Sequence, residues 1–321
     1  MNIIYGLGRI PEQARRPAVV TIGVFDGVHR GHQFVLRRVA AEAARKNLNS
    51  AVVTFSVHPS HLLDRAEKTP HVMSLKHKLH YIAEAGIKTC YVLKFNRSLA
   101  SVTPERFVEN ILLRRMGMVS LYVGEDFVFG LRARGDVDFL KKKSREKGFS
   151  LHVLKPLVID GDTVSSTLVR RLICSGQLGR ARKFLGRPVS LLGRVIRGEG
   201  RGRLLGFPTA NISPEHEVLV PDGIYAAWAF LGKKIFPAAA YLGTKPTFHK
   251  MLHRRHVEIF ALHTRRNFYG RTLEVRFVRK IRDDRTFPDA ASLSRQIVDD
   301  IKRVERILSS SPAPRPAIVP F

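Results

Sequence analysis

Ten residues, Gly23-Val-Phe25-Asp26-Gly27-Val-His29-Arg-Gly31-His32, set two imidazoles three positions apart among glycines at 23, 27 and 31. Glycine lets backbone N–H groups approach a ligand with no Cβ in the way. Imidazoles so spaced can donate hydrogen bonds to one polyphosphate and stabilise the charge that builds as its α-phosphorus is attacked. Two other readings stand beside this one: a Gly-rich turn with incidental histidines, and a metal-binding pair. A second string, Val164-Ser165-Ser166-Thr167-Leu-Val-Arg170, carries hydroxyls and a guanidinium at helix-start spacing. It reads as a segment closing on a triphosphate from the far side or as an ordinary N-cap. A third, Gly198-Glu-Gly200-Arg-Gly202, looks like a dinucleotide loop but lies among β-forming segments, a context that excludes that reading. No Gly-x-x-x-x-Gly-Lys-[Ser/Thr] occurs, so a Walker-type kinase is excluded as well.

These strings need a framework. Residues 18–23 are a β-branched run that would end at the first string. A helical stretch over 32–46 follows, with Phe34, Val35, Val39 and Ala43 on one stripe, and then a strand over 50–55. Strand, helix, strand is a βαβ unit. The alternation continues with helices at 75–85, 104–115 and 139–147 and strands at 89–95, 119–123 and 150–154, which predicts an α/β doubly wound domain. Past residue 186 the texture changes. Short β-forming segments at 189–196, 223–230, 235–241, 256–263 and 273–278, separated by Gly or Pro, predict an antiparallel sheet or barrel. Leu293, Ile297, Ile301, Val304 and Leu308 then give a helical period over 290–308.

A chain of 321 residues is long for one core and suits two domains. Cys90 and Cys174 have no metal-site spacing, which argues for a reducing compartment and against a zinc site. The most apolar segment, 224–242, is interrupted by Lys233, Lys234 and Pro237, so no membrane span is expected. The N-terminus places its basic residues after its apolar stretch, the reverse of a secretory signal, and the expected location is the cytoplasm. The net charge of +28 invites a nucleic-acid reading. Its distribution weakens that reading: residues 1–180 hold 29 basic and 15 acidic side chains, residues 181–321 hold 26 and 12, and neither part concentrates the charge. The sequence gives no reading of oligomeric state.

With these strings in view, the chain resembles the bacterial bifunctional riboflavin kinase/FAD synthetases over nearly its whole length. The resemblance is also carried by Thr54-Phe-Ser-Val-His58-Pro59, Gly124-Glu-Asp126-Phe-Val-Phe129-Gly130 and Gly186-Arg-Pro188. Gly200-Arg-Gly202-Arg-Leu-Leu-Gly206-Phe-Pro208-Thr209-Ala-Asn211 and Pro246-Thr247-Phe248 complete it. It implies a nucleotidyltransferase domain over 1–184 that adenylylates FMN, a small riboflavin kinase barrel with its C-terminal helix over 185–308, and a disordered tail over 309–321. ATP, Mg²⁺, riboflavin and FMN are the implied small molecules. In the first half, His29, His32 and Arg170 would stabilise the reacting phosphate. Gly23, Phe25, Asp26, Gly27, Gly31, Ser165, Ser166 and Thr167 would hold ATP, and Asp126 would lie near the flavin phosphate. His58 matches a family position too, or simply caps the turn before Pro59.

In the second half the resemblance implies that the loop with Gly200, Gly202 and Gly206 folds over ATP phosphates. Thr209 would ligate Mg²⁺ together with ATP oxygens, with Asn211 beside it at the substrate. Pro246 and Thr247 would shape a loop near the substrate, and Arg282 matches a position near the flavin. The ribityl hydroxyl is an alcohol and needs a base. Glu258 stands where the family has its catalytic glutamate, and the only acidic residues between 224 and 282 are Glu258 and Glu274. The chain departs from the family after this point, with Phe260-Ala-Leu-His263-Thr264 and Asn267-Phe-Tyr269-Gly270 in place of segments like His-Leu-Leu-Asp-Phe and Asp-Leu-Tyr-Gly. The departures leave room for FAD synthesis with a weakened kinase half. A basic nucleic-acid-binding protein is the alternative from another class. A nucleotidyltransferase for some other substrate would leave the Pro-Thr-Ala-Asn half unexplained.

Overall fold

Parallel strands covered by helices on both faces must be apolar throughout, and the inner strands here are short, β-branched and buried along nearly their whole length. The structure, a computed structural model, describes residues 1–8, 16–57, 69–198, 200, 202, 205–244, 255–264 and 266–314. These form two compact units, Met1–Thr69 with Lys78–Ser165, and Pro70–His77 with Ser166–Phe321.

In the first unit, β1 (Asn2–Tyr5), β2 (Ala18–Ile22), β3 (Asn49–Phe55), β4 (Thr89–Leu93), β5 (Met118–Gly124) and β6 (Ser150–Leu154) form one sheet. All pairings are parallel, in the order β1-β4-β3-β2-β5-β6. The chain steps from β2 through β3 to β4 toward one edge, then returns to lay β5 on the other flank of β2. That reversal opens a crevice at the carboxyl ends of β2 and β5, where open α/β sheets bind ligands. The helices are α1 (Arg30–Arg45), α2 (Leu75–Glu84, its residues from Lys78 on), α3 (Arg97–Ala100), α4 (Pro104–Arg106) and α5 (Val137–Lys147), with a π-pitched stretch, Phe107–Arg115, continuing α4. Val20, Val53, Tyr91, Leu112, Met116, Leu121 and Leu140 lie at the centre of the core, each worth about 2 kcal/mol of apolar burial.

After Pro70–His77, the second unit continues with α6 (Ser166–Cys174) and α7 (Leu178–Leu185). Six antiparallel strands follow: β9 (Ser190–Ile196), β10 (Ala210–Pro214), β11 (Gly223–Leu231), β12 (Lys234–Thr244), β13 (Arg255–Ala261) and β14 (Thr272–Arg282). The hairpin strands β7 (Val158–Ile159) and β8 (Asp162–Thr163) belong to the first unit. The barrel closes as β10-β13-β12-β11-β14-β9 with β9 returning to β10. α8 (Ala290–Ser309) starts on an Asp289 cap that accepts from the Ser292 N–H, and lays Ile301, Val304 and Leu308 against Trp228, Phe260 and Leu262. The architecture is the expected one, an α/β nucleotidyltransferase-like sheet, a closed antiparallel barrel and a C-terminal helix.

Local differences have local causes. β1, β7 and β8 are too short, at four, two and two residues, to show a period in sequence. The helix expected from residue 32 starts at Arg30, because His29 and not a later residue caps it. Of the expected tail, Ser309 still ends α8, and residues 315–321 lie outside the described residues. Among the described residues no helix is long and apolar enough to cross a membrane.

Candidate functional site

In the first unit the turn after β2 is forced into a left-handed course. Phe25, Gly27 and Val28 have φ of 52°, 77° and 36°. Only at Gly27 is that conformation free of Cβ cost, which is why this turn needs a glycine there. Gly23 and Gly31 serve a different purpose. A Cβ at Gly23 would stand 3.1 Å from the Phe25 ring, and one at Gly31 would stand 3.2 Å from the His29 ring. The outcome is that His29 becomes the N-cap of α1, its Nδ1 accepting the His32 N–H at 3.3 Å. The two rings stack with centroids 3.6 Å apart and planes 18° from parallel, and Phe25 packs edge-on to His32 at 5.1 Å. Because Nδ1 of His29 is an acceptor, a neutral His29 carries its proton on Nε2, as a donor. Ring nitrogens bind metals in the ring plane, so two nearly parallel stacked imidazoles are badly placed to converge on one ion. As parallel donors to neighbouring phosphate oxygens they are well placed. This favours the polyphosphate reading over the metal pair.

The other first-unit residues fall around the same crevice. Gly124 ends β5 beside β2, and Asp126 is exposed just past it, with its Oδ1 2.8 Å from where a Gly124 Cβ would be. Val164, next to Ser165, brings its carbonyl oxygen within 3.6 Å of a Cβ position on Gly31, so the first residue of the second string lies beside the first. Asp26 is buried. Ser166, Thr167 and Arg170 lie on α6 in the second unit, where the Arg170 Nε donates to the Pro70 carbonyl at 2.9 Å. His58 lies outside the described residues. Lys78, whose ammonium is buried against the carbonyls of Val24 and Phe55, went unread in sequence because nothing marks one helix lysine among many.

On the barrel, register does the assembling. Asn211 on β10 is opposite Glu258 on β13, and Glu258 is opposite Tyr241 on β12, so three neighbouring strands carry one row of polar side chains. Thr209, two residues before Asn211, donates its hydroxyl to Glu258 Oε2 at 2.9 Å. Gly198 makes room for the row: a Cβ there would overlap the Asn211 side-chain amide. Gly202 is equally close-fitted, its Cβ position 3.1 Å from Thr209 Oγ1, while Gly200 and Gly206 turn the loop with φ of 73° and 86°. Tyr241, missed in sequence because it sits in an ordinary strand run, donates to Asp284 at 3.0 Å. Burial, with Asp284 and Glu258 nearby, raises its pKa above the usual phenol range. Pro246 and Thr247 lie outside the described residues. The flanks of their loop are pinned, since Asp222 accepts from both Thr244 and Arg255. Arg282 is not drawn into the row. Its guanidinium grips the buried Asp300 of α8, Nη2 to Oδ2 at 2.8 Å, and locks the last strand to the helix.

The departures after Glu258 have structural work to do. Phe260 packs edge-on to Phe207 at 5.9 Å and joins the α8 contact. His263, left-handed at φ 56°, pairs with Glu305 at 3.1 Å on the surface. Asn267 Oδ1 accepts from the Tyr269 N–H at 2.9 Å, a turn contact that an aspartate oxygen makes equally well.

Elsewhere in the second unit, a buried network predicts an acid limit. Burial raises the Glu274 pKa, but hydrogen bonds from His77 and Arg276 outweigh it and bring it down to about 2. Burial, with His77 as neighbour, pushes His216 down to about 3. Both folded values lie below the ordinary ones of 4.5 and 6.5, so the stability these groups contribute is present above the ordinary values and lost as pH falls through the folded ones. From about pH 6.5 downward, His216 alone should cost the barrel about 1.4 kcal/mol per pH unit. Urea unfolding followed by the chain's single tryptophan, Trp228 on β11, should show the midpoint falling between pH 7 and 5, and His216→Leu should flatten that slope.

Comparison with known proteins places both halves. Residues 11–168 match the FAD synthetase family and residues 185–308 the riboflavin kinase family. A bifunctional riboflavin kinase/FMN adenylyltransferase of Escherichia coli (strain K12) is 34% identical over 301 residues, 94% of this chain and 96% of its own length. One of the same description from Haemophilus influenzae is 33% identical over 311 residues, covering 97% of this chain and all of its own. Among solved structures, a Streptococcus pneumoniae chain described as a macrolide-efflux protein shares the fold with a TM-score of 0.83 at 25% identity, over 95% of this chain and 99% of that one.

Proposed function

Because the chain belongs to the bifunctional riboflavin kinase/FMN adenylyltransferase family, we propose that its switch-point crevice and its barrel row are two working sites for the two reactions that name describes. Riboflavin and ATP give FMN and ADP on the barrel; FMN and ATP give FAD and pyrophosphate at the crevice. The observation that carries this reading is the chemical contrast between the sites, stacked imidazole donors in one and a hydroxyl–carboxylate pair, Thr209 with Glu258, in the other. The efflux description of the Streptococcus pneumoniae chain is not carried over, since both family matches and both bacterial relatives agree on flavin chemistry.

The contrast matches what each nucleophile needs. The FMN phosphate is already an anion near neutral pH, so its oxygen attacks the α-phosphorus of ATP without a base while the bond to the pyrophosphate oxygen breaks. The crevice then has only to orient and neutralise, and His29 and His32 supply donors. Ser165 and the glycines at 23, 27 and 31 hold the nucleotide, and Asp126 lies on the flavin side. The ribityl hydroxyl keeps its proton until it reacts, so Glu258 accepts that proton as the oxygen bonds to the γ-phosphorus and ADP leaves. Thr209 holds the Glu258 carboxylate in place by its hydrogen bond.

Magnesium fits the barrel donors. The Thr209 hydroxyl spends its hydrogen on Glu258 and keeps its lone pairs, and Asn211 adds a second neutral oxygen, the small hard set this ion takes alongside phosphate oxygens. When bound, it would neutralise charge on the ATP phosphates. We place the domain boundary near residue 184 and the enzyme in the cytoplasm, where two unpaired thiols, Cys90 and Cys174, are at home.

Incubating the purified protein with riboflavin, ATP and Mg²⁺ and separating the flavins by chromatography tests the whole reading. Both FMN and FAD should accumulate. FAD from supplied FMN with none from riboflavin would leave only the synthetase half, and neither product would end the proposal.

A further inference from the structure

The first unit buries an ammonium that the two reactions leave unexplained. Lys78 on α2 is 3% exposed. Burying a cation is costly unless it is held by oxygens, and here the holders are main-chain carbonyls: Lys78 Nζ donates to Phe55 O at 2.7 Å and to Val24 O at 3.1 Å. Phe55 ends β3 and Val24 is the second residue past β2, so one side chain ties the carboxyl ends of two neighbouring strands. Val24 O also accepts the Thr54 hydroxyl at 3.0 Å. The next residue, Phe25, begins the left-handed course that seats His29 and His32.

We propose that Lys78 is a positioning residue for adenylyl transfer, fixing the Val24 peptide so that the turn presents its stacked histidines, and lending a positive charge behind them. The inference rests on reading this crevice as the FMN adenylylation site. A purely structural tie between strands would be made as well by a neutral donor and would not connect charge to catalysis. Burial brings the ammonium down to about 8 against the pull of Asp26 in the turn, and Cys90 on β4 is the other titratable group that faces it. Burial pushes the Cys90 thiol up to about 12, so Lys78 loses its proton first as pH rises.

The test measures kcat and KM for FAD formation from FMN between about pH 6 and 10, with riboflavin phosphorylation followed on the same samples. Wild-type FAD formation should fall above about pH 8, as the ammonium loses its charge. Lys78→Met should lose about 30-fold in kcat, flatten that alkaline limb, and leave riboflavin phosphorylation unchanged. Lys78→Arg, which keeps its charge throughout this range, should move the limb upward. A Met variant within threefold of wild type, or one that keeps the wild-type limb, overturns the inference. If the Met variant does not fold, as its far-ultraviolet circular dichroism would show, the wild-type profile decides: FAD formation that does not decline by pH 9.5 overturns the role while the functional reading stands. No FAD from FMN at any pH overturns both.

Discussion

Replacing His29 and His32 together by alanine should abolish FAD formation from FMN and leave riboflavin phosphorylation within about twofold of wild type. The size of the loss follows from the number of donors removed. Each hydrogen-bond donor preorganised toward developing charge is worth about 3 kcal/mol in such a site, so two should cost about four orders of magnitude in kcat. His29 complicates the single variant, because it is also the α1 cap and accepts the His32 N–H. An alanine there removes about 1 kcal/mol of helix stability along with the donor. His29→Asn separates the two: asparagine caps a helix well but cannot reach with a donor as far as Nε2 does. It should hold the melting temperature and still lose most FAD formation. Chromatographic assay of both reactions on one preparation checks this, and undiminished FAD synthesis in the double variant would remove the crevice assignment.

How much of this was legible in the sequence depends on the range over which each feature is determined. The sheet was readable because its strands are continuous apolar runs ending in turn signals, as at 18–23 and 50–55, and because strand–helix alternation leaves few topologies open. The ten-residue turn was readable for the same reason: its glycines and histidines do their work within one local loop. What escaped was set by tertiary contact. The stacking of His29 on His32 depends on the left-handed Phe25 and Val28, conformations that their residue types do not announce. The role of Lys78 comes from two carbonyls 54 and 23 residues away in the chain.

On the barrel the limits are similar. Glu258 is marked by the family resemblance, with the scarcity of acidic residues around it adding weight, and the fold sets it opposite Asn211 and within hydrogen-bond reach of Thr209, 49 residues earlier. Tyr241 joined the row only through strand register, which has no trace in composition. Arg282 shows the converse. The family resemblance puts it near the flavin, and in the fold its guanidinium holds the buried Asp300.

The second large effect is expected at that row. Glu258→Gln should cut FMN formation by about three orders of magnitude, the usual worth of a general base, and leave conversion of supplied FMN to FAD at the wild-type rate. Glutamine is the informative replacement because its side-chain oxygen can still accept the Thr209 hydroxyl now 2.9 Å from Glu258, so the row keeps its geometry while losing only the group that takes the ribityl proton. KM for riboflavin should therefore change little and the loss should fall in kcat. Thr209→Val gives the complementary case. It removes both the hydrogen bond that steadies Glu258 and an oxygen offered to magnesium, so kcat should fall and the Mg²⁺ concentration needed for half-maximal rate should rise. In Glu258→Gln that concentration should move much less. If Glu258→Gln still made FMN at the wild-type rate, the carboxylate would not be the base, and the row would be left as a magnesium and substrate cradle awaiting a proton acceptor elsewhere on the barrel.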